Sequence, residues 1–175
     1  MAAEAGQRPT ARRARFDVEE LEKREVPAVI FNEGFEGAFP GGNWSTNASQ
    51  GRNWKGVSDK AHSGSWSGFG SYSSQNSGSR TYANNMNTYM ERTVNLLGYT
   101  APVLSFYDWL NTESGYDFLR VKINGTQLWR DSGNKQNWNY QGLSLSNYAG
   151  QSNVTIRVGP AVPSRRSLRS DTHNR

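Results

Sequence analysis

Apolar and polar residues alternate most regularly between Val103 and Arg130, and this pattern predicts three antiparallel strands. Two apolar segments flank the polar loop 112–115. Further along, Asn124-Gly125 is the dipeptide that a two-residue type I′ hairpin prefers. The segment therefore predicts a three-stranded meander in which each strand pairs with its neighbour in the sequence.

The predicted register assigns each side chain of this meander to a face, because side chains alternate across a strand. It places Trp109 opposite Phe118 and Arg120 opposite Trp129. One face collects the residues expected in a core: Leu104, Phe106, Leu110, Leu119, Val121, Ile123 and Leu128. The other face collects Tyr107, Trp109, Phe118, Arg120 and Trp129. An aromatic second face is either a second buried layer or a binding platform.

The whole region from Ala28 onward has the pattern of an all-β domain. Predicted strands cover 28–36, 65–72, 86–95, 102–111, 116–124, 126–131, 138–145 and 153–158. The 21 aromatic residues stand among many Gly, Ser and Asn residues, which is typical of short strands joined by long polar loops. We expect a jelly roll or β-sandwich of two antiparallel sheets. No apolar stretch approaches the length of a membrane span.

The net charge of +5 argues little for nucleic acid because of where it lies. Residues 31–159 carry ten Lys and Arg against eight Asp and Glu, while residues 160–175 carry four Arg against one Asp. A short basic tail is a weak signal for phosphate binding. We therefore expect no nucleic-acid partner.

The two ends of the chain differ in composition from its middle. Residues 1–27 form a charged leader whose sequence between Arg15 and Val29 resembles an N-terminal tract found on large secreted bacterial proteins. This resemblance implies an extracellular, secreted protein. Residues 160–175 are polar and Arg-rich, and we expect a disordered basic tail. The predicted domain is 28–159.

Several motifs resemble a known family in their order along the chain. They are FNEGFEGAFPGGNW (31–44), KAHSGSWS (60–67), NNMNTYMERTVNL (84–96), LSFYDWLNTESGYDFLRVKING (104–125) and LSNYAGQSNVTIRV (145–158). Together they resemble a MAM-like jelly roll of the type found in secreted immune inhibitor A-like bacterial metallopeptidases. The resemblance implies a non-catalytic accessory module with a structural calcium ion, in a fold whose relatives include carbohydrate binders.

The sequence departs from this family after Val158. Family members continue into a last strand with two acidic residues, whereas this chain continues into GPAVPSRRSLRSDTHNR. We therefore expect a jelly roll that is incomplete at its C-terminus, as a shifted reading frame or truncated gene would produce. A sheet that lacks a strand exposes unpaired backbone.

Three residues are candidates for the calcium site. By the resemblance, Glu36 supplies a carboxylate and the turn around Ser63 supplies backbone carbonyls. Asp117 has a separate argument, because strand alternation places its carboxylate among apolar residues where an unpaired charge is costly. The alternative is that Asp117 lies at the end of a strand, where its carboxylate is solvated or accepts hydrogen bonds from loop amides.

The aromatic face is the candidate ligand site. Sugar rings stack on Trp and Tyr side chains, and Arg120 can donate hydrogen bonds to the hydroxyl groups of the sugar. The aromatic residues of this site are Tyr107, Trp109, Phe118 and Trp129. The alternative is a structural face in which Arg120 forms a cation–π stack. Glycans and cell-surface proteins are the partners that this site predicts.

Catalytic motifs are absent from the sequence, and we expect a non-enzyme. There is no HExxH zinc helix, no GxSxG elbow and no cysteine. Glu33 and Glu36 lie three apart and would point to opposite faces of a strand, which argues against a glycosidase pair. The predicted function is an extracellular binding or adhesion module. The alternatives are an orphan fragment of a secreted metallopeptidase and a small polysaccharide-acting enzyme.

Overall fold

The computed structural model describes residues 28–73 and 82–161, and it confirms an all-β protein. Those from Phe31 onward belong to one compact unit. In the described residues the strands are β1 Ser45–Asn47, β2 Asn53–Val57, β3 Ser67–Tyr72, β4 Tyr89–Val94, β5 Val103–Asn111, β6 Phe118–Ile123, β7 Thr126–Asp131, β8 Asn134–Ser144 and β9 Val154–Ala161. A single 3₁₀ turn, Ser146–Tyr148, joins β8 to β9.

The strand pairing is that of a jelly roll. One layer is a five-stranded antiparallel sheet with the order β1-β4-β9-β6-β7. The other layer consists of two ribbons, β2–β3 and β5–β8. Strands β4 to β9 form three nested pairs, β4 with β9, β5 with β8 and β6 with β7. The middle pair lies in the opposite layer, as in a long hairpin rolled upon itself.

The core lies between the two layers in two adjoining clusters. Under the β5–β8 ribbon, the fully buried Val121, Ile123 and Ile156 of the sheet contact Leu104 and Phe106. Under the β2–β3 ribbon, the buried residues are Trp44, Trp54 and Met90. The predicted core face is thus confirmed for Leu104, Phe106, Leu110, Leu119, Val121 and Ile123.

The β6–β7 hairpin confirms the predicted turn but not the predicted register. Asn124 and Gly125 both have positive φ angles, 48° and 84°, as a type I′ turn requires. A register shift then follows Gln127, so that Val121 pairs with Trp129. The extra residue, Leu128, is 37% exposed, and the prediction that it lies in the core is wrong.

Two other predictions about strands are wrong. Residues 28–36 form no strand, and β1 and β2 lie between 36 and 65, where no strand is predicted. More importantly, β5 pairs with β8 and not with β6, so Trp109 does not face Phe118 across a ladder. The loop between β5 and β6 crosses from one layer to the other instead of closing a hairpin.

The predictions for the two ends fall mostly outside the described residues. This applies to the leader 1–27, to residues 162–175 and to the missing closing strand. Strand β9 extends two residues beyond the predicted boundary at 159, since Pro160 and Ala161 pair with β6. Over the part of the chain that the structure describes, no helix has the length and apolar character needed to cross a membrane.

Candidate functional site

Four aromatic side chains share the outer face of the β5–β8 ribbon: Tyr107, Trp109, Trp138 and Tyr140. We call them the aromatic quartet. Their neighbours on β5, Phe106 and Leu110, point into the core, so alternation sends the quartet outward. Tyr107 and Tyr140 are direct cross-strand partners.

The quartet forms two edge-to-face pairs. The ring centroids of Tyr107 and Tyr140 are 5.4 Å apart, and those of Trp109 and Trp138 are 5.8 Å apart. Tyr140 remains 61% exposed and Tyr107 45% exposed. The Tyr140 ring extends over Gly142, where an added Cβ would come within 3.4 Å of it. The glycine therefore lets this ring lie close to the ribbon surface.

A loop that follows β2, residues 58–66, covers part of the quartet, and we call it the covering loop. The His62 ring stacks on Tyr107 with centroids 3.5 Å apart and planes 14° apart. The Lys60 ammonium lies 4.4 Å from the centre of the Trp109 ring. These contacts leave Tyr140 as the most open ring of the quartet.

Glu36 holds the far end of the covering loop. Its Oε1 accepts hydrogen bonds from the backbone N–H groups of Ser65 and Trp66, at 2.8 and 2.9 Å. An added Cβ on Gly64 would lie 2.2 Å from this oxygen, so the carboxylate touches the loop backbone directly. Glu36 thus lies beside residues 64–66, and the groups that face its carboxylate there are backbone amide donors. The roles of Glu36 and Ser63 as calcium ligands stay predictions.

The third calcium candidate, Asp117, has different partners. It is buried, and its N–H donates to the Glu113 carbonyl, while the Glu113 N–H donates to the Tyr82 hydroxyl. Burial, followed by the hydrogen bond to Asp117, raises the pKa of Tyr82. Among the described residues, no three His, Cys, Asp or Glu side chains are arranged to hold an ion. Calcium binding stays a prediction.

The structure divides the predicted aromatic face among three places. Tyr107 and Trp109 belong to the quartet. Phe118 and Arg120 lie on the outer face of the five-stranded sheet, on the other side of the molecule. Trp129 packs inside against Phe106, with ring centroids 5.3 Å apart, because the shift in β7 turns it inward. Arg120 lies 5.6 Å from the centre of the Phe118 ring, so its aromatic neighbour is Phe118 rather than Tyr107 or Trp129.

Asp108 lies beneath the quartet on the inner side of β5. It is 3% exposed, and its Oδ1 accepts a hydrogen bond of 2.8 Å from the Gln141 amide. Its Oδ2 is buried without a hydrogen-bond partner. Burial raises the pKa of Asp108, and the bond from Gln141 opposes this shift only in part.

Sequence reasoning missed half of the quartet and both loop residues. Trp138 and Tyr140 alternate along β8, whose strand was predicted, so the outward pair was visible as a pattern. The missing information was that β8, and not β6, lies beside β5. His62 and Lys60 carry no sequence signal for their contacts, because a loop has no periodicity that assigns its side chains to a face.

Comparison with known proteins gives a distant likeness. No protein-family model matches the chain, and no curated protein matches it. A solved structure, the native family 35 carbohydrate binding module from Clostridium thermocellum, is 20% identical and has a TM-score of 0.41. The match covers 69% of this chain and 82% of that one.

Proposed function

We propose that this chain is a non-catalytic carbohydrate-binding module whose ligand stacks on the aromatic quartet. The observation that carries the proposal is a group of four adjacent aromatic rings on an outer strand face, with Tyr140 61% exposed. Exposed apolar patches of this kind mark binding surfaces in soluble proteins.

The chemistry of the quartet suits a sugar. The C–H groups on one face of a pyranose ring form an apolar surface, and aromatic rings offer the complementary surface at little cost in side-chain entropy. Hydroxyl groups at the ring edge need polar partners. The exposed side chain of Ser105 shares this face of β5, and the Lys60 ammonium lies over the Trp109 ring, so both offer polar groups at the edge of the quartet.

The covering loop determines which rings a ligand reaches first. Because His62 occupies one face of Tyr107 and Lys60 lies over Trp109, the open surface is centred on Tyr140. A glycan chain would lie along β8 with the covering loop as one wall. Tyr140 is therefore the residue on which the proposal depends most.

Affinity electrophoresis in gels that contain soluble neutral polysaccharides tests this proposal. Wild-type protein should be retarded by at least one β-glucan, xylan or galactomannan, and Tyr140→Ala should migrate as if the polysaccharide were absent. Tyr116→Ala removes another exposed tyrosine, outside the quartet, and should behave like wild type. Equal retardation of the Tyr140 variant and wild type, or no retardation by any member of the panel, would contradict the proposal.

The proposal includes two features that rest on the sequence resemblance, namely an extracellular setting and a structural calcium ion. Thermal unfolding in millimolar calcium and then in chelator tests the second feature. A ligand that binds only the folded state raises the unfolding midpoint. Identical midpoints in the two buffers would remove calcium from the account and leave the aromatic quartet unaffected.

A further inference from the structure

The outer face of the five-stranded sheet carries a group of cations from three adjacent strands: Arg130 on β7, Arg120 and Lys122 on β6, and Arg157 on β9. We call this group the cationic face. The registers place Arg120 opposite Arg130 and Lys122 opposite Arg157. Among the described residues of these five strands, Glu91 is the only carboxylate that alternation adds to this face, and it pairs with Arg157 at 2.5 Å.

The cross-strand pairs on this face are unfavourable by themselves. Like charges directly opposite each other in a sheet destabilise it, and two such pairs lie side by side here. In the described part of the chain, no ion pair neutralises Arg120, Lys122 or Arg130. An anion bound between them would remove the repulsion, so the arrangement favours a negatively charged ligand.

Three of the four cations border a shallow groove that is already formed. The groove has a volume of about 90 Å³ and lies between Arg120, Lys122 and Arg157, with Tyr89 at its edge. Gly159 forms part of its floor, where an added Cβ would lie 2.2 Å from the Thr88 carbonyl oxygen. The close approach of β4 and β9 at this glycine leaves backbone, rather than a side chain, beneath the ligand.

Aromatic rings hold two of the guanidinium groups in place. The Arg157 guanidinium carbon lies 4.0 Å from the centre of the Tyr89 ring, and that of Arg130 lies 4.7 Å from the Phe118 ring. Side chains that are ordered before binding lose less entropy when a ligand arrives. A guanidinium group therefore already occupies one face of each ring.

The contacts between arginine and these rings distinguish between the polyanions that could bind. Proteins that bind single-stranded nucleic acids stack bases on open aromatic faces, whereas arginine already occupies one face of Tyr89 and one face of Phe118. Adjacent strands are about 4.8 Å apart, so the cations from β7 to β9 span about 10 Å across the sheet. We propose that the cationic face binds an acidic polysaccharide through carboxylate or sulfate groups on neighbouring sugars.

Affinity electrophoresis in heparin, polygalacturonate and neutral dextran tests this second site. Wild-type protein should be retarded by a sulfated or a carboxylated chain and not by dextran. Raising NaCl from about 0.05 M to about 0.5 M shortens the Debye length about threefold and should abolish the retardation. Lys122→Gln should weaken binding about tenfold or more, as expected for the loss of one charge-assisted contact. The Arg120→Gln/Lys122→Gln variant should lose more.

Two controls separate this site from general charge effects. Lys135→Gln removes one exposed charge outside the face, and Arg165→Gln/Arg166→Gln/Arg169→Gln removes three from the C-terminal segment. Both should bind within about twofold of wild type, because neither substitution changes a residue of the cationic face. Greater loss in either control than in Lys122→Gln would overturn the proposal, and so would tighter binding of single-stranded DNA. The Tyr140→Ala variant should still bind the acidic polysaccharide. The test of the cationic face therefore stays informative even if the aromatic quartet binds no neutral glycan.

Discussion

The two outer faces of the molecule use aromatic residues in opposite ways. On the β5–β8 ribbon, Tyr107, Trp109, Trp138 and Tyr140 contact one another edge to face, and Tyr140 stays open to solvent. On the five-stranded sheet, Tyr89 and Phe118 lie under guanidinium groups. The same residue types thus build a stacking surface on one side and a support for positive charge on the other. Which role an aromatic residue takes depends on its cross-strand neighbours.

The largest effect is expected from a residue that belongs to neither face. Trp129→Ala removes a ring that packs between the layers against Phe106. We expect a loss of about 3–5 kcal/mol in the free energy of unfolding, measured by urea denaturation. Trp109→Ala, on the outer face, should cost about 1 kcal/mol. Equal losses for the two variants would show that the interior assignment of Trp129 is wrong.

A smaller loss is expected when the anchor of the covering loop is removed. Glu36→Gln weakens the two hydrogen bonds that Ser65 and Trp66 donate, and should cost about 1–2 kcal/mol in urea denaturation. The same loss should appear with calcium and with chelator. If calcium stabilises wild type and not the variant, Glu36 ligates the ion, and the loop-anchoring role assigned to it is incomplete.

Removal of the buried carboxylate charge of Asp108, beneath the quartet, should increase the free energy of unfolding. Burial raises the pKa of Asp108, so the folded state holds this proton more tightly than the unfolded chain does. Stability is therefore lost as pH rises above about 4. Asp108→Asn keeps the acceptor for Gln141 and removes the charge, and should add about 1 kcal/mol at neutral pH. Unfolding midpoints from pH 4 to pH 8 check this prediction, and a variant with lower stability at pH 7 would contradict it.

The smallest effect on stability is expected in the covering loop itself. His62→Ala removes one stacked ring from Tyr107 and should cost about 0.5–1 kcal/mol. Retardation by a neutral polysaccharide should remain, because Tyr140 is untouched and a second ring face becomes open. Loss of that retardation would mean that His62 itself contacts the polysaccharide and does not only cover Tyr107.

The local features of this fold could be predicted from the sequence, and its long-range pairing could not. Asn124-Gly125 specifies its turn through positive φ angles at two adjacent residues, so β6 and β7 were identifiable. The partner of Tyr107 is Tyr140, across the intervening β6–β7 hairpin, and no local rule names it. The alternation of side chains along β5 is equally consistent with β6 or with β8 as its paired strand.

A single bulge explains another part of the disagreement. Because a strand has a side-chain period of two, one extra residue at Leu128 reverses the faces of the rest of β7. Trp129 therefore lies in the core and not on the predicted aromatic face. Tyr107 and Trp109 remain on a shared outer face because β5 keeps its alternation through the register shift, with Asp108 and Leu110 both buried on the inner side. The sequence thus placed half of the quartet correctly and could not supply Trp138 and Tyr140 as its other half.

The most direct test of the two-face account measures one pair of variants against two ligand classes. Binding of the best neutral polysaccharide and of heparin or polygalacturonate would be measured for wild type, Tyr140→Ala and Lys122→Gln. The account predicts that Tyr140→Ala loses only the neutral ligand and that Lys122→Gln weakens only the acidic one. If either substitution weakens both ligands equally while the unfolding midpoint is unchanged, the two faces do not act as separate sites.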